Sequence, residues 1–126
     1  MAIMKSKKYL LDTNSIIYAL NSGFKFPSHR YLISVITEIE LLSYSKLTKK
    51  DEQILKIALA NFENINITDN IKNQTIHIRK YSKIKLPDSI IIATAIIENA
   101  TLITSDKQIL NSDLIRTIEL LKLKCN

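Results

Sequence analysis

YLLDTNSIIYAL, residues Tyr9 to Leu20, decides the fold class. Its first three residues form a short, uniformly apolar run, the pattern of a strand covered on both faces. Asp12-Thr13-Asn14-Ser15 then offers several helix N-cap residues ahead of Ile16, Ile17 and Leu20. The stretch reads as a strand, a polar joint and a helix.

Working outward, the same unit recurs. Tyr31 to Val35 reads as a second strand, and Thr37 with Glu40 makes the spacing of a capping box ahead of a helix through about Ser45. Thr48 and Asp51 repeat that spacing before Leu55, Ala58, Leu59 and Phe62, which fall at the intervals of an amphipathic helix. Asn64 to Thr68 alternates as a third strand. From Asp69 to about Ser82 a helix presents Ile71, Thr75 and Ile78 on one side, with Lys72, Arg79 and Lys83 along an adjacent stripe. Pro87 suits the first turn of the next helix, whose run Ile90 to Ile97 is apolar nearly all round. Leu102-Ile103-Thr104 supplies a fourth strand, Asp106 to Leu110 a short helix, and Leu114 to Leu120 a last strand. This alternation predicts an α/β fold, a parallel sheet with helices on both faces.

The 126 residues, 46% of them hydrophobic, suit one domain over residues 1–126, with no glycine- or proline-rich linker to divide it. No leader and no membrane-spanning run is expected, and a lone Cys125 fits a reducing cytoplasm. A net charge of +6 suggests a polyanionic partner such as nucleic acid, although Lys5, Lys7, Lys8, Lys122 and Lys124 at the two ends carry much of it.

In open parallel sheets the carboxyl ends of the strands carry the ligand site. Asp12 follows the first strand, Glu40 the second and Asp106 the fourth, so three acids belong to that edge. Asp88 joins them because only the Asn99-Ala100 turn separates its helix from the fourth strand. At about 1.5 Å per residue that helix runs roughly 15 Å back to the carboxyl edge. Each acid has a structural alternative as a helix cap, and Glu38 competes with Glu40. Together, four carboxylates at one edge repel one another and call for a cation. Oxygen donors without a Cys or His cluster suit Mg²⁺ or Mn²⁺ better than zinc, since His29 and His77 are isolated. The reaction such a site is expected to carry out is hydrolysis of a phosphodiester. Thr13, Asn14, Thr104 and Ser105 are placed to hold the acids by hydrogen bonds or to cap strand ends, and the stripe of Lys72, Arg79 and Lys83 is either a path for a phosphate backbone or a solvated helix face. A phosphatase of the aspartyl-nucleophile kind is disfavoured, because Asn14 stands where its second aspartate belongs.

Four motifs in order carry a family resemblance: LLDTNSIIYAL (Leu10 to Leu20), ISVITEIELL (Ile33 to Leu42), LPDSIIIATAI (Leu86 to Ile96) and TLITSDKQI (Thr101 to Ile109). Nearly the whole chain resembles the PIN-domain nucleases and, among them, the VapC-type toxins of toxin–antitoxin pairs. Their T-x-x-E-L pattern selects Glu40 over Glu38. The resemblance implies a three-layer α/β/α fold with strand order 3-2-1-4-5, a homodimer, and Mg²⁺- or Mn²⁺-dependent cutting of RNA. Asp12, Glu40, Asp88 and Asp106 are its metal-binding and catalytic acids. It also implies a VapB-like antitoxin that blocks the acidic site. Ile92 departs from the alanine common there, and Ser105 from a larger, often basic residue. The remaining alternative is a catalytically silent member of the same fold that binds RNA or protein.

Overall fold

A computed structural model describes residues 7–123. Five parallel strands form one sheet: β1 (Lys8–Leu11), β2 (Arg30–Ser34), β3 (Glu63–Ile65), β4 (Thr101–Ile103) and β5 (Thr117–Ile118). Their spatial order is β3-β2-β1-β4-β5, as the resemblance implies. The connecting helices are α1 (Thr13–Ser22), α2 (Val35–Leu42), α3 (Lys49–Leu59), α4 (Asp69–Tyr81), α5 (Leu86–Ile97) and α6 (Lys107–Leu110), and a 3₁₀ turn spans Leu120–Lys122. None of the helices among the described residues is long and apolar enough to cross a membrane.

The strands are apolar on both sides because both sides are covered. Leu10, Leu32 and Leu102 point to one face, where they pack with Ile71 and Ile78 of α4 and with Ile91, Ile92 and Ala95 of α5. Tyr9, Leu11, Ile33 and Ile103 point to the other, against Ile16 and Ala19 of α1 and Leu59 of α3. The alternation within each strand thus sorts its side chains into two cores, one per face. Helix α2 contributes Ile36 to the first and Leu41 to the second, so it sits across the carboxyl edge of the sheet.

Helix ends follow local chemistry. Gly23 closes α1 in the left-handed conformation (φ 65°), and its N–H bonds the Ala19 carbonyl. Asn99 (φ 52°) plays the same part after α5, turning the chain directly into β4. This is the short turn that returns the start of α5 to the carboxyl edge.

Three elements differ most from the sequence expectation, while β2 and β4 are each shifted by one residue. Ser34, not Thr37, caps α2: its hydroxyl accepts the Ile36 N–H, and the helix begins at Val35 and ends at Leu42 instead of reaching Ser45. The expected capping box is therefore absent, and Glu40 lies in the second turn of α2. Strand β3 is Glu63–Ile65 instead of 64–68, because Thr68 accepts the Ile71 N–H as the cap of α4. The last strand shrinks to Thr117–Ile118, since only there do the backbones of β4 and β5 pair.

Candidate active site

Asp12 sits at the end of the central strand. Its backbone N–H donates to the Ile103 carbonyl at 3.1 Å, which ties the β1 exit to that of β4. The side chain is only 6% exposed, and both its oxygens are engaged. Oδ1 accepts the Ser15 N–H at 2.8 Å as the cap of α1, while Oδ2 accepts the hydroxyl of Thr104. Burial of a carboxylate at this depth is tolerated because charge-assisted hydrogen bonds replace water.

Thr104 connects two of the acids. Its Oγ1 also accepts the Asp106 N–H at 3.0 Å, so one buried hydroxyl joins Asp12 to the backbone of Asp106. Asp106 in turn caps α6, Oδ1 accepting the N–H groups of Gln108 and Ile109. The capping role and a place at the carboxyl edge are compatible, because a cap occupies one oxygen and leaves the other.

A second hydroxyl does the same for Glu40. Thr13, the first residue of α1, donates to Glu40 Oε1 at 2.7 Å and lies 3.1 Å from the hydroxyl of Thr37. Thr37 is fully buried and stands three residues before Glu40, hence on the same face of α2. Sequence reasoning made Thr37 a cap and missed this supporting place, although the helical spacing to Glu40 was the available sign.

Asp88 lies in the first turn of α5 and makes no hydrogen bond with a described residue. Burial, and after it the negative charges of Asp106, Asp12 and Glu40, push its carboxyl above the ordinary range; Lys85 opposes them. Asp88 is thus within electrostatic reach of three acids that come from three other segments. Among the described residues, however, no three His, Cys, Asp or Glu side chains are grouped closely enough to hold a metal ion between them. None of the four acids forms an ion pair with a described residue. The donors are all oxygens, the kind that suits a hard cation. His29 packs against Tyr9 and Tyr31, and His77 against Tyr81, away from the acids.

The remaining expected residues divide. Thr13 and Thr104 donate hydrogen bonds to Glu40 and Asp12, whereas the side chains of Asn14 and Ser105 make no hydrogen bond with a described residue. In the basic stripe, Lys72 pairs with Asp69 at 3.5 Å, and Arg79 donates to the Ile84 carbonyl at 2.7 Å, fastening the link from α4 to α5. Lys83 lies exposed in that link. Lys85, the N-cap of α5, is the cation that acts on Asp88, and sequence reasoning passed over it.

Beside the acids runs a groove of about 610 Å³ between α1, α2 and α3, lined by Thr13 and Glu40 at one end and by Ile17, Leu20, Tyr44 and Ile54 along its length. These four apolar side chains are 41–60% exposed.

The family model of the PIN domain matches residues 9–113. The chain belongs to the PIN-domain family. No curated protein sequence matches it. Among solved structures, this PIN domain is similar to a toxin–antitoxin complex from Klebsiella pneumoniae, at 32% identity and a TM-score of 0.72 over 87% of this chain and 95% of that one. It is also similar to VapBC2 from Rickettsia felis bound to a promoter DNA fragment, at 26% identity and a TM-score of 0.75 over 89% and 98%. VapBC from Salmonella typhimurium shares the fold at 19% identity and a TM-score of 0.75, over 90% and 98%.

Proposed function

We propose that this PIN domain is a Mg²⁺- or Mn²⁺-dependent endoribonuclease, the VapC-like toxin of a toxin–antitoxin pair. The observation that carries the reading is Asp88, a half-buried carboxylate without a hydrogen-bond donor, facing three further acids across the carboxyl edge. Such an arrangement is electrostatically costly, and a divalent cation removes the cost.

Asp12, Glu40, Asp88 and Asp106 would hold the cation, which when bound supplies Lewis acidity and a water of lowered pKa beside the phosphodiester. The chain's own residues do the rest. Thr104 and Ser15 fix the plane of the Asp12 carboxylate, and Thr13 fixes that of Glu40. Asp106, with Oδ2 outside its capping bonds, is the acid best placed to accept a proton from the attacking water. Lys85 offsets the charge of Asp88, and Lys72, Arg79 and Lys83 would meet an RNA backbone.

The toxin reading draws on the similar toxin–antitoxin structures and on the groove. An antitoxin segment with apolar side chains buries Ile17, Leu20, Tyr44 and Ile54 while ending at Glu40, which blocks the acids. Two copies of the chain would form the homodimer common to this kind of toxin.

The test is cleavage of single-stranded RNA by purified protein: cutting with Mg²⁺ or Mn²⁺, none with EDTA, and suppression by the product of the adjacent gene. Protein that binds RNA yet never cuts it in either metal points to the silent binding module instead. Thr104→Val, nearly isosteric and without the hydroxyl, is expected to lower the cleavage rate by about 10- to 100-fold, as loss of a support to a metal-binding acid does. An unchanged rate removes Thr104 from the account.

A further inference from the structure

Asn14 and Ser105 were expected to hold the acids by hydrogen bonds or to cap strand ends, and neither side chain makes a hydrogen bond with a described residue. Both instead line a separate pocket of about 180 Å³ on a different side of α1 from the groove, together with Tyr18, Glu119, Leu120 and Leu121. The pocket adjoins the acids through the backbone: Asn14 follows Asp12 by two residues, and Ser105 stands between Thr104 and Asp106. A group in it would lie near a phosphate bound at the carboxyl edge.

Its lining has two kinds of surface. Tyr18, one turn along α1 from Asn14, is 49% exposed and offers an aromatic face, and Leu120 and Leu121 add apolar walls. Against these stand an amide, a hydroxyl and a carboxylate. The Asn14 and Ser105 side chains have no partner among the described residues. Glu119 touches the exposed Lys122 only through Oε2, at 3.7 Å, which leaves Oε1 for another donor. A flat apolar wall with a few polar groups at its edge is the arrangement that reads an unstacked base of single-stranded RNA. Among the bases guanine matches best, because its N1–H and N2–H donors lie side by side and meet the two oxygens of a carboxylate, Oε1 directly and Oε2 in place of the exposed Lys122 at 3.7 Å.

We propose that the pocket of Asn14, Tyr18, Ser105 and Glu119 takes one nucleobase adjoining the scissile phosphate, stacked on Tyr18 and read by Glu119, with guanine preferred. This rests on the ribonuclease reading above and adds to it a source of cut-site choice. Tyr18 and Glu119 act on binding and register, not on the reacting atoms.

The test uses Asp88→Asn protein, which is silent in cleavage on that reading, titrated by fluorescence anisotropy with short single-stranded oligoribonucleotides differing in one central base. The guanine-containing strand is expected to bind best. Adding Tyr18→Ala weakens binding about tenfold or more, Tyr18→Phe restores it, and Glu119→Gln removes the preference for guanine. In the protein with Asp88 intact, cut sites adjoin guanine, and Glu119→Gln disperses them. Undiminished binding in Tyr18→Ala, or an unaltered base preference in Glu119→Gln, overturns the pocket while cleavage of RNA still stands. RNA neither bound nor cut overturns the ribonuclease reading and the pocket with it.

Discussion

Asp88→Asn is expected to abolish metal-dependent RNA cleavage, by at least about 100-fold, while leaving the protein as stable as before or more so. The two halves have one cause. Asp88 loses hydration in the first turn of α5 and meets the charges of Asp106, Asp12 and Glu40, so its carboxyl is held above the ordinary range. A folded chain that grips this proton more tightly than the unfolded chain loses stability as pH rises from the ordinary carboxylate value through the raised one. Once ionised, Asp88 is therefore a destabilising charge in the folded chain. Asparagine cannot ionise and removes that deficit. The melting temperature of Asp88→Asn at pH 7 should equal or exceed that of the unsubstituted protein, and the difference should shrink in acid, where both are neutral. Added Mg²⁺ should raise the melting temperature of the unsubstituted protein and barely move that of the variant. Asp12→Asn offers the contrast. It disturbs the cap of α1 and the bond from Thr104, so it should lose activity and stability together. Loss of folding in Asp88→Asn, or full activity, contradicts this account.

Ile91→Ala carries the largest expected effect on stability. Ile91 is 1% exposed in α5, packed in the core that joins Leu10, Leu32 and Leu102 of the sheet to Ile71 and Ile78 of α4. Removing its side chain forfeits burial and leaves a cavity that these rigid neighbours cannot close, at about 2–5 kcal/mol. Chemical denaturation should show that loss with an unchanged dependence on denaturant, because the surface exposed on unfolding is nearly the same. A drop of less than about 1 kcal/mol would mean that α5 is not the buried centre of its layer. Through α5 the same substitution reaches Asp88, so weaker metal binding should accompany it.

What could be read from the sequence was whatever burial imposes on composition. Strand β1 is covered on both faces, so its apolar run and the polar joint after it left little choice of structure. Helix α5 is surrounded, so its side chains are apolar all round. The start of α2 was ambiguous because Ser34 and Thr37 are both capping residues and Val35 favours strands as a β-branched side chain. Only the geometry of the β2 exit decides for Ser34. The capping box was a coincidence of spacing, and Thr37 faces Thr13 instead. Short edge strands were the least legible: β5 has two paired residues within a seven-residue apolar-rich stretch, because pairing with β4 and not local preference limits it. Asp12, Glu40 and Asp106 were assigned to one edge by counting which residues follow which strands and Asp88 by the length of its helix, topological properties that sequence order carries, while the family pattern chose Glu40 over Glu38. Lys85, Thr37 and the pocket of Tyr18 and Glu119 depend on side chains meeting across elements, which spacing does not encode.

Mn²⁺ binding, followed by loss of the free-ion electron paramagnetic resonance signal, probes the proposed acidic site most directly. Titration of the unsubstituted protein should show binding that Asp88→Asn weakens at least tenfold, and Glu40→Gln similarly, with the fold intact by circular dichroism. Equal Mn²⁺ affinity in all three proteins, or no binding in any, would contradict the claim that these carboxylates act on one cation.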